Sequence, residues 1–240
     1  MRATDYDDFA ESYSADNEAN LLNNHYERPA MLALAGRVHG HRVLDAGCGS
    51  GPLFAALQER GATVTGIDSS AEMIALARER LGRNADLRVL DLGERLPFAD
   101  GEFDDVVSSL ALHYLQDWEG PLRELRRVLK HGGRLIVSVN HPTTHKLANP
   151  DADYFAIAPW SQEFDFQRKK AVLTFWHRPL HAMVASFTEA GFRIATIDEP
   201  PVAADTPPEL LPPHLNGRTR FLGFLFFVLV ADRVPVSAPS

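Results

Sequence analysis

Short apolar runs alternate with segments of helical periodicity along the middle of the chain. The runs predicted as strands are Arg42–Leu44, Ala62–Asp68, Leu87–Leu90, Phe103–Leu110 and Arg134–Val139. The segments predicted as helices between and after them are Pro52–Leu57, Ser69–Leu81 and Pro121–Lys130. Strands that alternate with helices favour a parallel sheet covered on both faces. The pattern therefore predicts an α/β, doubly wound fold.

Helical periodicity also precedes the first strand. Tyr6, Phe9, Ala10 and Tyr13 recur at about helical spacing, and Pro29–Val38 forms a second apolar segment. Both are predicted as helices in front of the sheet.

The pattern breaks at Asn140–Phe175, which at about 35 residues is too long for an ordinary connection. Its aromatic side chains suit a segment that encloses an organic substrate, and a plain hydrophobic flap is the alternative. Beyond it, Leu180–Ala190 is predicted as a helix. Phe192–Ile197 and Phe221–Ala231 are predicted as the sixth and seventh strands, separated by a proline-rich loop.

The stretch Val43–Gly51 joins the end of the first strand to the start of a helix through three glycines. Glycine tolerates positive φ and has no Cβ, and a helix N-terminus offers unpaired N–H groups, so a ligand can approach this backbone closely. The spacing G-x-G-x-G differs from the dinucleotide fingerprint G-x-G-x-x-G. Asp68, at the end of the second strand, is well placed for a ribose diol. Together these features indicate a nucleoside ligand.

Further ordered motifs extend this signal. They are Gly66–Ser70, Asp91-Leu92 with Leu96–Phe98, Phe103–Tyr114, Leu125–Val139, Asn140–Pro142, and His177–Leu180 leading to Ala190–Phe192. With Val43–Gly51, this series resembles the class I S-adenosylmethionine-dependent methyltransferases, in particular their small-molecule branch. The resemblance implies a Rossmann-like sheet of seven strands in the order 3-2-1-4-5-7-6, with the last strand antiparallel. It also implies a single domain over residues 1–240, comprising an N-terminal helical lid (1–40), a cofactor-binding core (41–140), a substrate-cap insert (141–177) and the C-terminal part of the sheet (178–240).

The same resemblance implies S-adenosyl-L-methionine as cofactor, S-adenosyl-L-homocysteine as product and a small organic methyl acceptor. The residues expected at the cofactor are Tyr13, Asp45, Gly47, Cys48, Gly49, Asp68, Ser69, Met73, Asp91, Leu92, Ser109 and Leu110. The residues expected at the substrate are Tyr26, Tyr114, His141 and Tyr154. For Asp91 the alternative is an acidic cap of a helix or turn, and for Tyr26 it is packing of the helix onto the sheet.

His113 is the candidate general base, because imidazole titrates near neutral pH and can accept a proton from a hydroxyl or amine. A structural histidine hydrogen-bonded beneath the pocket is the alternative. Orientation of the reacting groups is expected to contribute most of the catalysis.

Composition narrows the partners. Acidic residues outnumber basic ones 32 to 24, giving a net charge of −8, which argues against a nucleic-acid partner and for a small-molecule substrate. Cys48 is the only cysteine, so no intrachain disulfide or cysteine metal cluster forms. The histidines of Asn140–Phe175 could suggest a metal site, but they lack the close pairing and carboxylate neighbours typical of one, so no metal site is expected. Met1–Asp8 does not read as a secretory signal, and Phe221–Ala231 is too short to span a bilayer. A cytoplasmic monomer or homodimer is expected.

Three other functions stay open from the sequence. The same pocket could support a non-methylating reaction of S-adenosylmethionine such as cyclisation, or the chain could be a non-catalytic nucleoside-binding module. A nicotinamide-dependent dehydrogenase is disfavoured by the G-x-G-x-G spacing. The methyl acceptor, and transfer to oxygen, nitrogen or carbon, are not identified by the sequence.

Overall fold

The computed structural model describes residues 8–166 and 169–232. Tyr6 and the other first residues of the predicted lid lie outside the described residues, as do residues 233–240 of the predicted C-terminal part. None of the helices in the described part combines the length and apolarity needed to cross a bilayer.

Seven strands form one sheet in the order β3-β2-β1-β4-β5-β9-β8. Two further strands, β6 and β7, lie in the insert, so β8 and β9 are the sixth and seventh strands of the prediction, and the predicted order 3-2-1-4-5-7-6 is confirmed. The sheet strands are β1 Arg42–Ala46, β2 Thr63–Asp68, β3 Asp86–Val89, β4 Phe103–Ser109, β5 Leu129–Asn140, β8 Arg193–Asp198 and β9 Phe224–Val230. The first five pair in parallel, and β9 pairs antiparallel with both β5 and β8. The fold is therefore the expected doubly wound one.

Helices cover both faces of the sheet because its strands carry apolar side chains on both sides. The helices are α1 Ala10–Asn17, α2 Arg28–Ala35, α3 Pro52–Glu59, α4 Ala71–Leu81, α5 Glu119–Val128, α6 Pro142–Ala148 and α7 Leu180–Glu189. Neighbouring residues of β1 show the division: Val43 packs in the cluster with α2, α3 and α4, whereas Leu44 packs in the cluster with α5 and α7. The two clusters hold the helices against the two faces of the sheet, and they leave the carboxyl ends of the strands at its edge.

The boundary between α5 and β5 differs from the prediction. The sequence pattern continues the helix to Lys130 and begins the strand at Arg134, whereas the helix ends at Val128 and the strand begins at Leu129. Leu129 already pairs with Phe103, and the register of the pairing then shifts. Gly132 and Gly133, which separate the predicted helix from the predicted strand, therefore lie in an irregularity within β5.

The insert contains regular structure. After α6, the strands β6 Ala158–Phe166 and β7 Lys169–His177 form an antiparallel hairpin separate from the main sheet. Phe166, Leu173 and Phe175 of the hairpin form a third apolar cluster with Phe9, which stands at the start of α1. The insert thus packs against the N-terminal helices.

A π-helical turn, Leu21–Glu27, leads directly into α2. The Asn20 side chain caps its start by accepting the Asn23 N–H, and the Arg28 N–H donates to the carbonyl of Asn23, five residues back. π-Helical turns are uncommon and often occur at functional sites.

Asp105 anchors the end of the sheet opposite the glycine turn. Its buried carboxylate accepts two hydrogen bonds from the Arg134 guanidinium, at 2.7 and 2.9 Å, and one contact from His41 Nδ1 at 2.7 Å. We expect Asp105→Ala to lower the free energy of unfolding by about 3 kcal/mol, because it leaves the half-buried Arg134 without its acid. Urea unfolding followed by circular dichroism measures this.

The matched control is Glu163→Ala, which removes an acid from the exposed pair that Glu163 forms with Lys170. Exposed pairs contribute little, so this variant should unfold at nearly the wild-type urea concentration. Equal destabilisation of the two variants would contradict the anchoring role of Asp105.

Candidate functional site

A cavity opens at the carboxyl ends of β1, β2 and β4, where the order of strands along the sheet reverses. Ligands bind at such reversal points in open parallel sheets. The residues expected from the sequence that line it are Tyr13, Asp45, Gly47, Cys48, Gly49, Asp68, Ser69, Met73, Asp91, Leu92, Ser109, Leu110 and Tyr114. The fold thus brings all of the expected cofactor residues, and one expected substrate residue, to a single space.

The glycine turn after β1 passes tightly over the end of the sheet. Gly47 has a φ of +87°, and a Cβ added there would lie 2.5 Å from the Cβ of Ala111. Its N–H donates to the carbonyl of Ile67 in β2 at 2.8 Å. Gly49 also has positive φ, but a Cβ on it would meet nothing within 4 Å, so this part of the backbone faces open space.

Asp68, the last residue of β2, is oriented by the backbone on both sides. One carboxylate oxygen accepts the Gly49 N–H and the other accepts the Ser70 N–H, each at 2.9 Å. Ser70 in turn caps α4 by accepting the Met73 N–H. A carboxylate oxygen can accept more than one hydrogen bond, so this fixed group suits recognition of a pair of hydroxyls.

Asp45 is a fully buried acid in the cavity wall. Neither of its carboxylate oxygens has a hydrogen-bond partner within residues 8–166 and 169–232. The pKa of Asp45 is raised to about 8, mainly by burial and also by the negative charges of Glu27 and Asp68, while the nearby backbone N–H of Phe54 lowers it in part. A buried acid without a partner is costly unless a ligand supplies a hydrogen-bond donor or a positive charge.

Asp91 lies at the exposed rim of the cavity, next to Leu92. Its Oδ1 accepts the Gly93 N–H at 2.8 Å, which is the turn-capping contact weighed as the alternative. The side chain of Asp91 thus caps a turn and also borders the cavity, so its position agrees both with a turn cap and with a contact to the cofactor.

Leu110, just after β4, has a φ of +49°, which is unusual for a residue with a side chain. Its N–H donates both to the carbonyl and to the hydroxyl of Ser138, at 3.1 and 3.0 Å. Such left-handed residues cluster at functional sites, where the surrounding contacts enforce them.

The N-terminal helices supply four polar residues that sequence reasoning did not place at the cofactor. They are Asn17, Asn23, Glu27 and Arg28. Glu27 is 3% exposed, and its Oε1 accepts the hydroxyls of Ser109 at 2.7 Å and Ser138 at 2.5 Å. Burial raises its pKa, which the two serines and Arg28 partly offset. The signal available in the sequence was an acid directly before the apolar helix, which is also the usual pattern of a solvated helix start.

Tyr13 connects the lid with the insert at the edge of the cavity. Its ring packs edge-on against Phe9 and against Phe166 of the β6–β7 hairpin, at centroid distances of 6.4 and 5.3 Å. The hydroxyl of the next residue, Ser14, donates to the hydroxyl of Ser50 in the glycine turn at 2.7 Å. The lid is thus attached to both the insert and the turn.

His113 lies beneath the cavity, away from its walls. It is buried, its Nδ1 accepts the Asn140 N–H at 3.1 Å, and its ring packs against Tyr114 and Phe175. Burial lowers its pKa from the ordinary 6.5 to about 3. This is the structural arrangement that the sequence left as the alternative to a general base.

Tyr26, expected at the substrate, packs instead between α2 and β9. Its ring stacks on Phe224 at 5.6 Å, and its hydroxyl donates to the carbonyls of Phe221 and Phe224 at 3.4 and 3.3 Å. Burial raises the pKa of Tyr26 to about 12. These contacts hold the side chain on the sheet, outside the cavity wall.

His141 and Tyr154, also expected at the substrate, do not line the cavity either. His141 caps α6, and its Nε2 contacts the Glu199 carboxylate at 2.8 Å. The Tyr154 hydroxyl accepts the Leu180 N–H at 3.3 Å. None of the described residues of the insert borders the cavity. Their aromatic rings pack on one another and on the rings of Tyr13 and Tyr114, which lie between them and the cavity.

The residues present fit a nucleoside ligand that carries positive charge. The backbone approach at Gly49, the fixed carboxylate of Asp68 and the unpartnered acid Asp45 border one space. The described residues contain no group of three or more histidines, cysteines or acids placed to hold a metal ion.

Comparison with known proteins identifies the family. A family model described as a methyltransferase domain matches residues 44–137. Demethylmenaquinone methyltransferase of Tropheryma whipplei is 35% identical over 135 residues, which cover 55% of this chain and 56% of that protein. The match therefore spans about half the length of this relative. A ubiquinone/menaquinone biosynthesis C-methyltransferase of Xanthomonas oryzae pv. oryzae is 31% identical over 199 residues, which cover 76% of this chain and 78% of the relative.

Solved structures agree in fold. An S-adenosylmethionine-dependent methyltransferase from Mesorhizobium loti is 26% identical with a TM-score of 0.63, covering 84% of this chain and 96% of that one. A methyltransferase of the same cofactor class from Methanosarcina mazei, at 22% identity and a TM-score of 0.64, shares the fold over 85% of this chain and 98% of that one. The chain belongs to the class I S-adenosylmethionine-dependent methyltransferases.

Proposed function

We propose that this protein transfers a methyl group from S-adenosylmethionine to a small organic acceptor and leaves S-adenosylhomocysteine. The observation that carries the proposal is the buried, unpartnered Asp45 beside the glycine turn and Asp68 in one cavity. A nucleoside with a positively charged amino-acid part matches all three: its ribose hydroxyls suit Asp68, its close approach suits the glycine turn, and its ammonium suits Asp45. A neutral nucleoside offers no cation to Asp45, and the phosphates of a dinucleotide would add negative charge beside the acids Asp45 and Asp68.

Each part of the cofactor has a proposed partner. Asp68 accepts the two ribose hydroxyls, and Asp91 with the backbone of Leu92 receives the adenine. Asp45 accepts the ammonium of the methionine part, and Arg28 is the cation on the cavity wall suited to its carboxylate. Gly47, Cys48, Gly49, Ser69, Met73, Ser109 and Leu110 shape the walls between these groups.

Catalysis rests on orientation. The bound cofactor supplies a methyl group that is reactive toward nucleophiles, so this chain has to align the acceptor and keep water out. Tyr13 and Tyr114 border the cavity and suit the flat faces of an acceptor, and the insert packs behind both rings. His113 supports this wall from below through Tyr114 and Asn140. We assign His113 to positioning of Tyr114, because its Nδ1 lone pair already accepts the Asn140 N–H and because burial disfavours its protonated form.

An aromatic or quinone-like acceptor fits these walls better than a charged one. One relative is named a demethylmenaquinone methyltransferase and another a ubiquinone/menaquinone biosynthesis C-methyltransferase. The cavity edge at Tyr13, Tyr114 and Leu115 is aromatic and apolar. Flat apolar rings pack favourably on such side chains.

Cofactor binding is expected to depend on Asp68. We expect Asp68→Asn to weaken binding of S-adenosylhomocysteine by roughly tenfold to a hundredfold, as hydrogen bonds to a charged group contribute about 1.5–3 kcal/mol. Isothermal titration calorimetry on folded protein measures the dissociation constants. Asp86→Asn, which alters a partly exposed acid outside the cavity, is the matched control and should bind normally. Normal binding by Asp68→Asn would remove this acid from the site.

Turnover tests the transfer itself. Wild-type protein with S-adenosylmethionine and a panel of hydroxylated aromatic and quinol compounds should release S-adenosylhomocysteine above the level without acceptor, measured by liquid chromatography. Binding without release for any acceptor would favour a non-catalytic binding module, and loss of the cofactor without S-adenosylhomocysteine would favour a non-methylating reaction such as cyclisation.

The position of His113 predicts a pH dependence of stability. Its pKa is about 3 in the folded protein and near 6.5 when exposed, so the unfolded chain takes up the proton first as pH falls. Stability from the neutral ring is therefore complete above pH 6.5 and is lost between pH 6.5 and 3, at up to about 1.4 kcal/mol per pH unit. In His113→Asn, whose amide oxygen can accept the Asn140 N–H, urea unfolding at several pH values should show a shallower slope. An exposed-site control, His131→Asn, should keep the wild-type slope. Equal slopes for wild type and His113→Asn would disprove the buried neutral state.

A further inference from the structure

Glu27 is a buried acid in the cavity wall to which the proposed cofactor contacts assign no role. It ends the π-helical turn, directly before α2. Both of its hydrogen bonds use Oε1, which accepts Ser109 Oγ at the end of β4 and Ser138 Oγ within β5. Ser138 also accepts the N–H of Leu110, the residue with positive φ. The carboxylate is therefore fixed in position between two strands and the lid.

No cation of the described protein contacts this carboxylate. Within the described residues Oε2 makes no hydrogen bond, and Glu27 belongs to the cavity lining. Arg28 is next in sequence, but its guanidinium donates to Asn24, to the carbonyl of Asn17 and to Glu18. The charge of Arg28 acts on Glu27 without contact, and Glu27 and Asp45 repel each other as like charges. A fixed, buried anion in this setting is stabilised by a positive charge from a ligand.

The two buried acids suit different kinds of cation. Asp45 has two carboxylate oxygens without partners, which matches an ammonium that donates three hydrogen bonds. Glu27 has one oxygen already saturated by serine hydroxyls. A sulfonium donates no hydrogen bond from its sulfur, so it interacts with a carboxylate through charge alone and requires only that the anion be held nearby in a dry site.

We propose that Glu27 is the counter-ion of the cofactor's sulfonium and makes the cavity prefer S-adenosylmethionine to S-adenosylhomocysteine. This inference rests on the proposed function, which supplies the cofactor. After transfer the sulfur is a neutral thioether, because the carbon–sulfur bond to the methyl group breaks and its electron pair stays on sulfur. The fixed anion then faces no cation, which favours release of the product.

Glu27→Gln tests this without any methyl acceptor. The amide is the same size, and its oxygen can still accept the two serine hydroxyls. We expect the ratio of the dissociation constants of S-adenosylhomocysteine and S-adenosylmethionine to fall by roughly tenfold or more, through weaker binding of S-adenosylmethionine alone. Calorimetry on purified wild type and variant, with folding checked by circular dichroism, measures both constants. Asp45→Asn is the matched control: it should weaken both ligands by similar factors and leave their ratio unchanged, since both carry the ammonium.

The wild-type protein offers a second measurement that does not depend on a variant. The charged groups that face Glu27 are Arg28 on α2 and Asp45 at β1, with Asp68 at β2 beyond Asp45. The proposed contacts of Arg28, Asp45 and Asp68 are to the carboxylate, ammonium and ribose, which S-adenosylmethionine and S-adenosylhomocysteine share. Lowering the pH protonates Glu27 and should therefore reduce the preference for S-adenosylmethionine, and the preference should rise again with pH. In Glu27→Gln the ratio should not vary with pH.

The outcomes separate the two proposals. If wild type binds neither ligand, the proposed function fails. If wild type binds both but Glu27→Gln weakens them equally, or weakens neither, the function stands and the sulfonium assignment is overturned. A wild-type ratio that is constant over the whole pH range in which the protein stays folded overturns it as well.

Discussion

The contact between Gly47 and Ala111 sets the shape of the cavity. A side-chain carbon at Gly47 would meet the methyl group of Ala111 at 2.5 Å, so only hydrogen fits between the turn after β1 and the segment after β4. The N–H groups of Gly47 and Cys48 both donate to the carbonyl of Ile67, which attaches the same turn to β2. Three strand ends thus converge on one residue. Asp45, Asp68 and Ser109 reach a common space because that turn is tight.

Convergence of strand ends has an electrostatic consequence. It gathers Asp45 and Asp68 around a cavity to which the lid adds Glu27, and burial makes the ionised forms of Asp45 and Glu27 unfavourable there. Hydrogen bonds from backbone N–H groups satisfy Asp68, and hydroxyls satisfy one oxygen of Glu27. Asp45 has only the approach of the Phe54 backbone N–H, which does not complete a hydrogen bond to either oxygen. A stable protein tolerates such an arrangement where a cationic ligand offsets it. The chemistry of a sulfonium cofactor and the cost of burying these acids therefore fit each other.

The sequence predicted the sheet, its strand order and the residues at strand ends, because these follow from local patterns and from one topological rule. Asp45, Asp68 and Ser109 each end or adjoin a predictable strand. The sequence placed Tyr26 at the substrate and gave no role to Glu27, whereas in the structure Glu27 lines the cavity and Tyr26 does not. A π-helical turn contains an additional residue per hydrogen bond, which shifts side chains around the axis relative to α-helical spacing, and apolar periodicity does not reveal the shift. His113 shows the same limit, since a short 3₁₀ turn directs it beneath the cavity and Tyr114 toward it.

The N-terminal helix α1 and the β6–β7 hairpin of the insert pack against each other beside the cavity. Phe9 stacks on Phe166 at 5.8 Å, and Tyr13 packs against the same ring, so α1 and the β6–β7 hairpin share one apolar cluster. The described residues of the insert therefore stabilise Tyr13 without lining the cavity themselves. Since Ser14 also bonds to Ser50 in the glycine turn, displacement of α1 would break an aromatic contact and a contact to the turn together. Aromatic residues of the insert thus help to hold Tyr13 at the edge of the cavity, although their number in the sequence is typical of a substrate-binding segment.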